Sequence, residues 1–260
     1  MIAEQLATPP IVEALVEVRW AMDKTSGPIP IDPHYQLLLG SFYQKVKNEY
    51  PFHEALPAAS IPDEVTGSVV KHRFRVAKDS WPLIQIGPGV MSVNETNKYT
   101  TFEKFKPHAI QALTSLFDAH PKKSELEIKR LILRYIDAKE LNYSQENIHN
   151  FISNKMHIPM ELPDFIFQNG RLETIPTSFR WQTSLRCNDP AGMAILTFST
   201  GIRSGKPALI WEQILQSEDD DIDDMPSKFE EWIDSAHEVI YAWFEKLIEG
   251  DLKTEFSKNE

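Results

Sequence analysis

The sequence predicts an α+β protein: two strand–helix–strand–strand halves with mostly antiparallel sheets, closed by a long C-terminal amphipathic helix. Three observations carry that expectation. Apolar and polar residues alternate with period 2 in several short runs, as half-buried strands require. Some of these runs are joined by turn residues too closely spaced for crossovers, which makes hairpins. The stretch 226–249 instead repeats its apolar residues every three or four positions, the spacing of one helix face. A composition of 42% hydrophobic and 25% charged over 260 residues is that of an ordinary globular chain.

The first strand is expected from Ile11 to Met22, with Val12, Ala14, Val16, Val18 and Trp20 on one face and Glu13, Leu15, Glu17 and Arg19 on the other. Gly27–Pro28 and Pro30 end it. Asp32–Pro33 then reads as N-cap and first residue of a helix carrying Tyr35, Leu38, Leu39, Phe42 and Val46. Pro57 and Pro62 mark a loop, and strands follow at about 66–77 and 82–95, joined by Lys78-Asp79-Ser80. Pro107 suits the first turn of a second helix, with Ile110, Leu113, Leu116 and Phe117 as its buried stripe.

After His120–Pro121 the order restarts. A strand is expected at 127–138, then a helix capped by Ser144 and carrying Ile148, Phe151, Ile152 and Met156. Strands near 171–186, 192–203 and 207–216 come next, the last two joined by a hairpin at Ser204-Gly205-Lys206. Ser227 and Glu230 have the spacing of a capping box for the final helix, whose stripe includes Phe229, Trp232, Ile233, Ala236 and Ile240. The expected units are therefore 1–120, 121–217 and 218–260. Val18-Arg19-Trp20 aligns with Leu133-Arg134-Tyr135, and the two halves read either as a pseudo-repeat or as a chance match of short triplets.

Charge is distributed unevenly. The net −11 divides into −2 for residues 1–120, +2 for 121–217 and −11 for 218–260. A near-neutral body weakens any long-range pull on nucleic acid or anionic lipid, leaving only a local basic patch to supply one, and an acidic tail repels both. No apolar run is long enough to span a bilayer, and the start MIAEQLATPP lacks the features of a signal peptide. A lone cysteine, Cys187, fits a reducing cytoplasm.

No phosphate loop, dinucleotide fingerprint, nucleophile elbow or HExxH is present. Gly87-Pro88-Gly89 lacks a lysine and reads as a bulge or tight bend. No cofactor or metal is expected. Asp219, Asp221, Asp223 and Glu230 have calcium-loop spacing, but the turn glycine is missing; a solvated acidic loop at a helix N-terminus is the preferred reading. Lys71, Arg73 and Arg75 would form a basic strand face. That face is a candidate anion or nucleic-acid patch, weighed against charge that defends a sheet from strand addition. His237 lies at the margin of the last helix's apolar stripe and is the one candidate general base, weighed against a histidine bonded at the core's edge. Arg19 and Arg134, brought together by a pseudo-twofold, would clamp an anion; the alternative is that they neutralise Glu13 and Glu17.

Further short motifs carry a resemblance. They are Pro9-Pro10-Ile11-Val12-Glu13-Ala14 with Glu17-Val18-Arg19-Trp20, Gln85-Ile86-Gly87-Pro88-Gly89, Val93-Asn94 with Tyr99 and Phe102, Leu133-Arg134-Tyr135-Ile136, and His237 with Phe244, Glu245 and Ile248. Together they resemble a sporadically distributed family of bacterial proteins of about this length that carries no assigned activity. The resemblance implies fold boundaries and an accessory or defence-type setting, and no chemistry. Asp137 stands where that pattern has asparagine.

The expected function is that of a non-catalytic binding or adaptor protein. It would act through a cleft between two α+β halves, as the element order resembles tandem modules of the gyrase-inhibitor-like fold, or through a protein-partner surface. Arg19, Trp20, Gln85, Asn94, Arg134 and Tyr135 are the candidate ligand-binding residues. A protein partner or homodimer is expected, with a small-molecule ligand as a further partner; nucleic acid and membrane are not. The alternatives are a hydrolase or nucleic-acid-processing enzyme using His237 with a nearby carboxylate, and a nucleic-acid-binding accessory factor using strand 71–75.

Overall fold

The computed structural model describes residues 6–24, 28–96 and 99–258. It has the α+β class expected. Its elements run β1 (Ile11–Trp20), α1 (Tyr35–Val46), β2 (Phe52–Ala55), α2 (Asp63–Thr66), β3 (His72–Arg75), β4 (Leu83–Gly87), β5 (Val90–Glu95) and α3 (Phe102–Ala119). They continue with β6 (Ile128–Glu140), α4 (Ile148–Lys155), β7 (Arg180–Asn188), β8 (Ala191–Arg203), β9 (Lys206–Glu218), α5 (Phe229–Leu247) and α6 (Asp251–Phe256).

The described strands form one antiparallel sheet in the order β2-β3-β4-β5-β1-β6-β9-β8-β7. The opening strands of the two expected halves, β1 and β6, are therefore neighbours at its centre. Their register pairs Val16 with Leu133 and Val18 with Leu131, symmetrically about Glu17 opposite Ile132. A local two-fold axis at that pair exchanges Val18 with Leu133 and Trp20 with Tyr135, which is the alignment of the two sequence triplets. It also carries β5 onto β9 and β4 onto β8, outward on either side.

One face of the sheet is covered. Ala14, Val16 and Val18 from β1, Leu131 and Leu133 from β6, and Leu215 from β9 pack in a single core with α1, α3 and α5. A second cluster gathers Phe198 and Trp211 with α4 and α6. Phe229, Trp232, Ile233 and Ile240 of the apolar stripe of α5 are buried in the main core.

Several boundaries differ from expectation for identifiable reasons. Gly87 pairs with Val90, so Pro88–Gly89 is a two-residue turn that splits the 82–95 segment into a hairpin, with Gly89 at φ +66°. The strand expected at 66–77 is confined to β3, and β2 adds an edge strand outside it. α3 starts at Phe102, with Pro107 inside the helix rather than in its first turn. α4 is capped by Asn147, whose side chain accepts from the backbone N–H of His149 and Asn150, while Ser144 bonds Asn142. The Ser227 hydroxyl turns back to Asp224, so the capping box does not form. Only 180–188 of the first late strand is extended. Gly27 of the expected Gly27–Pro28 break lies outside the described residues. Among the described residues no helix is long and apolar enough to cross a membrane.

Candidate functional site

β6 continues its core-facing alternation beyond Leu131 and Leu133 with Tyr135 and then Asp137. Beside it, β9 places Gln213 opposite Tyr135, on the face that also buries Leu209, Trp211 and Leu215. Two polar side chains thus occupy positions that pleat geometry sends into the interior. They lie in the wall of a pocket of about 340 Å³. The other walls come from the N-terminal segment at Pro9 and Pro10, the start of α3 at Phe102 and Glu103, and α5 at His237 and Tyr241.

Gln213 is fully buried, and among the described residues neither its Nε2 nor its Oε1 has a hydrogen-bond partner. A buried donor or acceptor left unmatched costs about 1–3 kcal/mol. Asp137 is 2% exposed. Burial pushes its carboxyl up to about 8 against the opposing pull of Arg203, so the group is largely protonated at neutral pH. The neutral acid presents an O–H and a C=O side by side.

A hydrogen-bonded chain crosses the pocket. The Tyr99 hydroxyl donates to that of Tyr135 (3.3 Å), which lies 3.1 Å from Nδ1 of His237. The His237 ring stacks flat on Phe102, with centroids 3.8 Å apart and planes 9° from parallel. Burial lowers its pKa to about 4, outweighing Glu103 and Asp234, which act to raise it. His237 is therefore neutral at pH 7. Its hydrogen-bond partner is a tyrosine rather than the carboxylate an acid–base pair would need. Burial likewise raises both tyrosine hydroxyls, with Tyr135 well above its ordinary value, so both are protonated donors. At the mouth, Tyr241 donates to Glu245, which also pairs with Lys253.

The expected site residues separate onto the two faces of the sheet. Tyr135 and His237 belong to the pocket. Trp20 is on the covered face but elsewhere: its Nε1–H donates to Asp32 (2.8 Å), which also accepts the Gly89 N–H (3.3 Å). Arg19, Arg134, Gln85 and Asn94 lie on the opposite, open face. Arg73 donates to Gln85, Gln85 to Asn94 and Asn94 to Glu13, one polar line running across β3, β4, β5 and β1.

The arginine clamp does not assemble. Arg19 lies opposite Arg130 and Arg134 opposite Leu15, so four residues of β1, about 13 Å, separate the two positions. Arg19 pairs with Glu17 along its own strand, as the alternative reading has it, whereas Arg134 pairs with Glu212 on β9 instead of with Glu13 or Glu17. The basic strand is not a free patch either. Lys71 is buried against Asp63 and the Ile61 carbonyl, Arg73 bonds Gln85, and Arg75 reaches Ser80 and lies over Trp81. β3 also has a neighbour on each side, so it is not an edge. In the acidic loop, Asp219 pairs with Lys129 and Asp221 with Arg186.

Sequence reasoning did not single out Gln213, Tyr241 or Glu103, and noted Asp137 only as a departure. A usable signal was present for two of them: Asp137 and Gln213 are polar residues at core-facing positions of apolar strands. Pro9, Pro10, Tyr99, Phe102, Phe244 and Glu245, far apart in the chain and quoted above for their resemblance, converge on this pocket. Compared with known protein families, curated proteins and solved structures, the chain matches none.

Proposed function

We propose that this is a non-catalytic binding protein that takes up a small molecule between β6, β9, α3 and α5, where elements of its first and second halves meet. The observation that carries this reading is the pocket itself: aromatic and aliphatic walls around a few buried polar groups, the composition of a ligand site. An acid–base role for His237 is less well supported. A histidine with a pKa near 4 is a weak base, and among the described residues no serine or cysteine hydrogen-bonds it.

Native mass spectrometry of the purified protein tests the proposal. Ala7 lies exposed at the pocket wall, so Ala7→Trp obstructs entry without disturbing the core. The expected result is extra mass or added-ligand binding in the natural chain that Ala7→Trp abolishes. Equal binding by both proteins would place the ligand elsewhere and sink the proposal.

A further inference from the structure

Resting on that reading, we propose that the pocket selects uncharged, flat heterocycles whose edge carries an N–H beside a C=O, the cyclic-amide class to which uracil and hypoxanthine belong. Three features of the pocket converge on this chemistry.

The first is the unmatched amide. Gln213 holds one acceptor and two donors within a single planar group, with both polar atoms unpaired and no exposed surface. An amide edge satisfies such a group with two parallel hydrogen bonds, the way a glutamine side chain meets the edge of a nucleobase. Asp137, diagonal to it across β6 and β9, presents a protonated carboxyl with the same side-by-side pattern. A purely apolar guest would leave Gln213 unmatched.

The second is charge. No lysine or arginine is among the described residues lining the pocket, whereas Glu103 and Glu245 both contribute carboxylates. Phosphates and carboxylates would enter against Glu103, while Lys253, the cation beside Glu245, is paired with that carboxylate. A cation paired with Glu103 or Glu245 would still leave the N–H of the Gln213 amide without an acceptor.

The third is shape. His237 and Phe102, stacked face to face, put two near-parallel rings in the wall beside those of Tyr99, Tyr241 and Phe244. About 340 Å³ accommodates one such ring system with room for a substituent. Flat rings stack on aromatic side chains in offset or edge-to-face geometry.

Isothermal titration of the full chain with uracil, hypoxanthine, orotate, benzamidine and naphthalene tests the inference. Uracil or hypoxanthine should bind, with anionic orotate, cationic benzamidine and edge-less naphthalene at least about tenfold weaker. Gln213→Leu should weaken the heterocycles about tenfold or more and leave naphthalene unaffected. If that variant does not fold by circular dichroism, Gln213→Met, of similar length, replaces it.

Heterocycle binding that survives loss of the Gln213 amide overturns the inference. Tighter binding of orotate, benzamidine or naphthalene than of the heterocycles overturns it too, while leaving a ligand pocket standing. Binding by none of the probes overturns the inference, and the pocket reading then stands or falls by mass spectrometry of the natural chain and Ala7→Trp.

Discussion

Asp137 and His237 face the same pocket and carry opposite protonation costs. The Asp137 pKa is raised on folding, from 3.8 to about 8. Its contribution to stability is therefore complete below about 4 and is lost as pH rises to about 8. The His237 pKa is lowered, from 6.5 to about 4, so its contribution is complete above 6.5 and is lost as pH falls to about 4. Between about 4 and 6.5 the two slopes oppose each other; from 6.5 to 8 Asp137 acts alone. Asp137→Asn should gain on the natural chain by about 1.4 kcal/mol per pH unit from ~4 to ~8, measured by urea unfolding at several pH values. A gap that does not change with pH would mean that the carboxyl is already ionised. His237→Gln should show the mirror image, gaining on the natural chain as pH falls from 6.5 toward 4; a constant gap would show that the imidazole titrates normally in the fold.

At the scale of elements, alternation and helical spacing proved far more legible than ends and caps. The faces of β1 follow directly from its period-2 pattern, because one face must be buried. Caps were less legible because Ser144, Asn147, Ser227 and Asp224 compete for nearby backbone groups, and the spacing alone does not decide among them. Gly87 shows what only tertiary structure reveals. A Cβ there would stand 1.9 Å from the Val69 carbonyl oxygen, so Gly87→Ala should cost more than about 2 kcal/mol. Gly40, within α1, has nothing within 4 Å of its virtual Cβ, and Gly40→Ala should stabilise by about 0.5–1 kcal/mol. Thermal unfolding of the two variants checks both signs; a stable Gly87→Ala would mean the 69–70 backbone moves aside easily.

For the whole molecule, the element order in the sequence allowed two halves but could not say that β1 and β6 would pair at the centre of a single sheet. That pairing depends on contacts across more than a hundred residues. Nor could it show that Arg73, Arg75 and Arg134 each have a carboxylate or carbonyl partner. With those cations engaged and a net charge of −11, the chain should retain neither duplex DNA nor RNA in filter binding at about 50 mM salt. Retention there would show that the arginines leave their partners for phosphate. The local two-fold adds a comparison within the molecule itself. Trp20 stands where Tyr135 stands, and Gly89 takes the place of Gln213. On that side the indole and the glycine N–H both close on Asp32. One corner of the frame is thus a plugged socket, its polar needs met from within, and its counterpart is an open one.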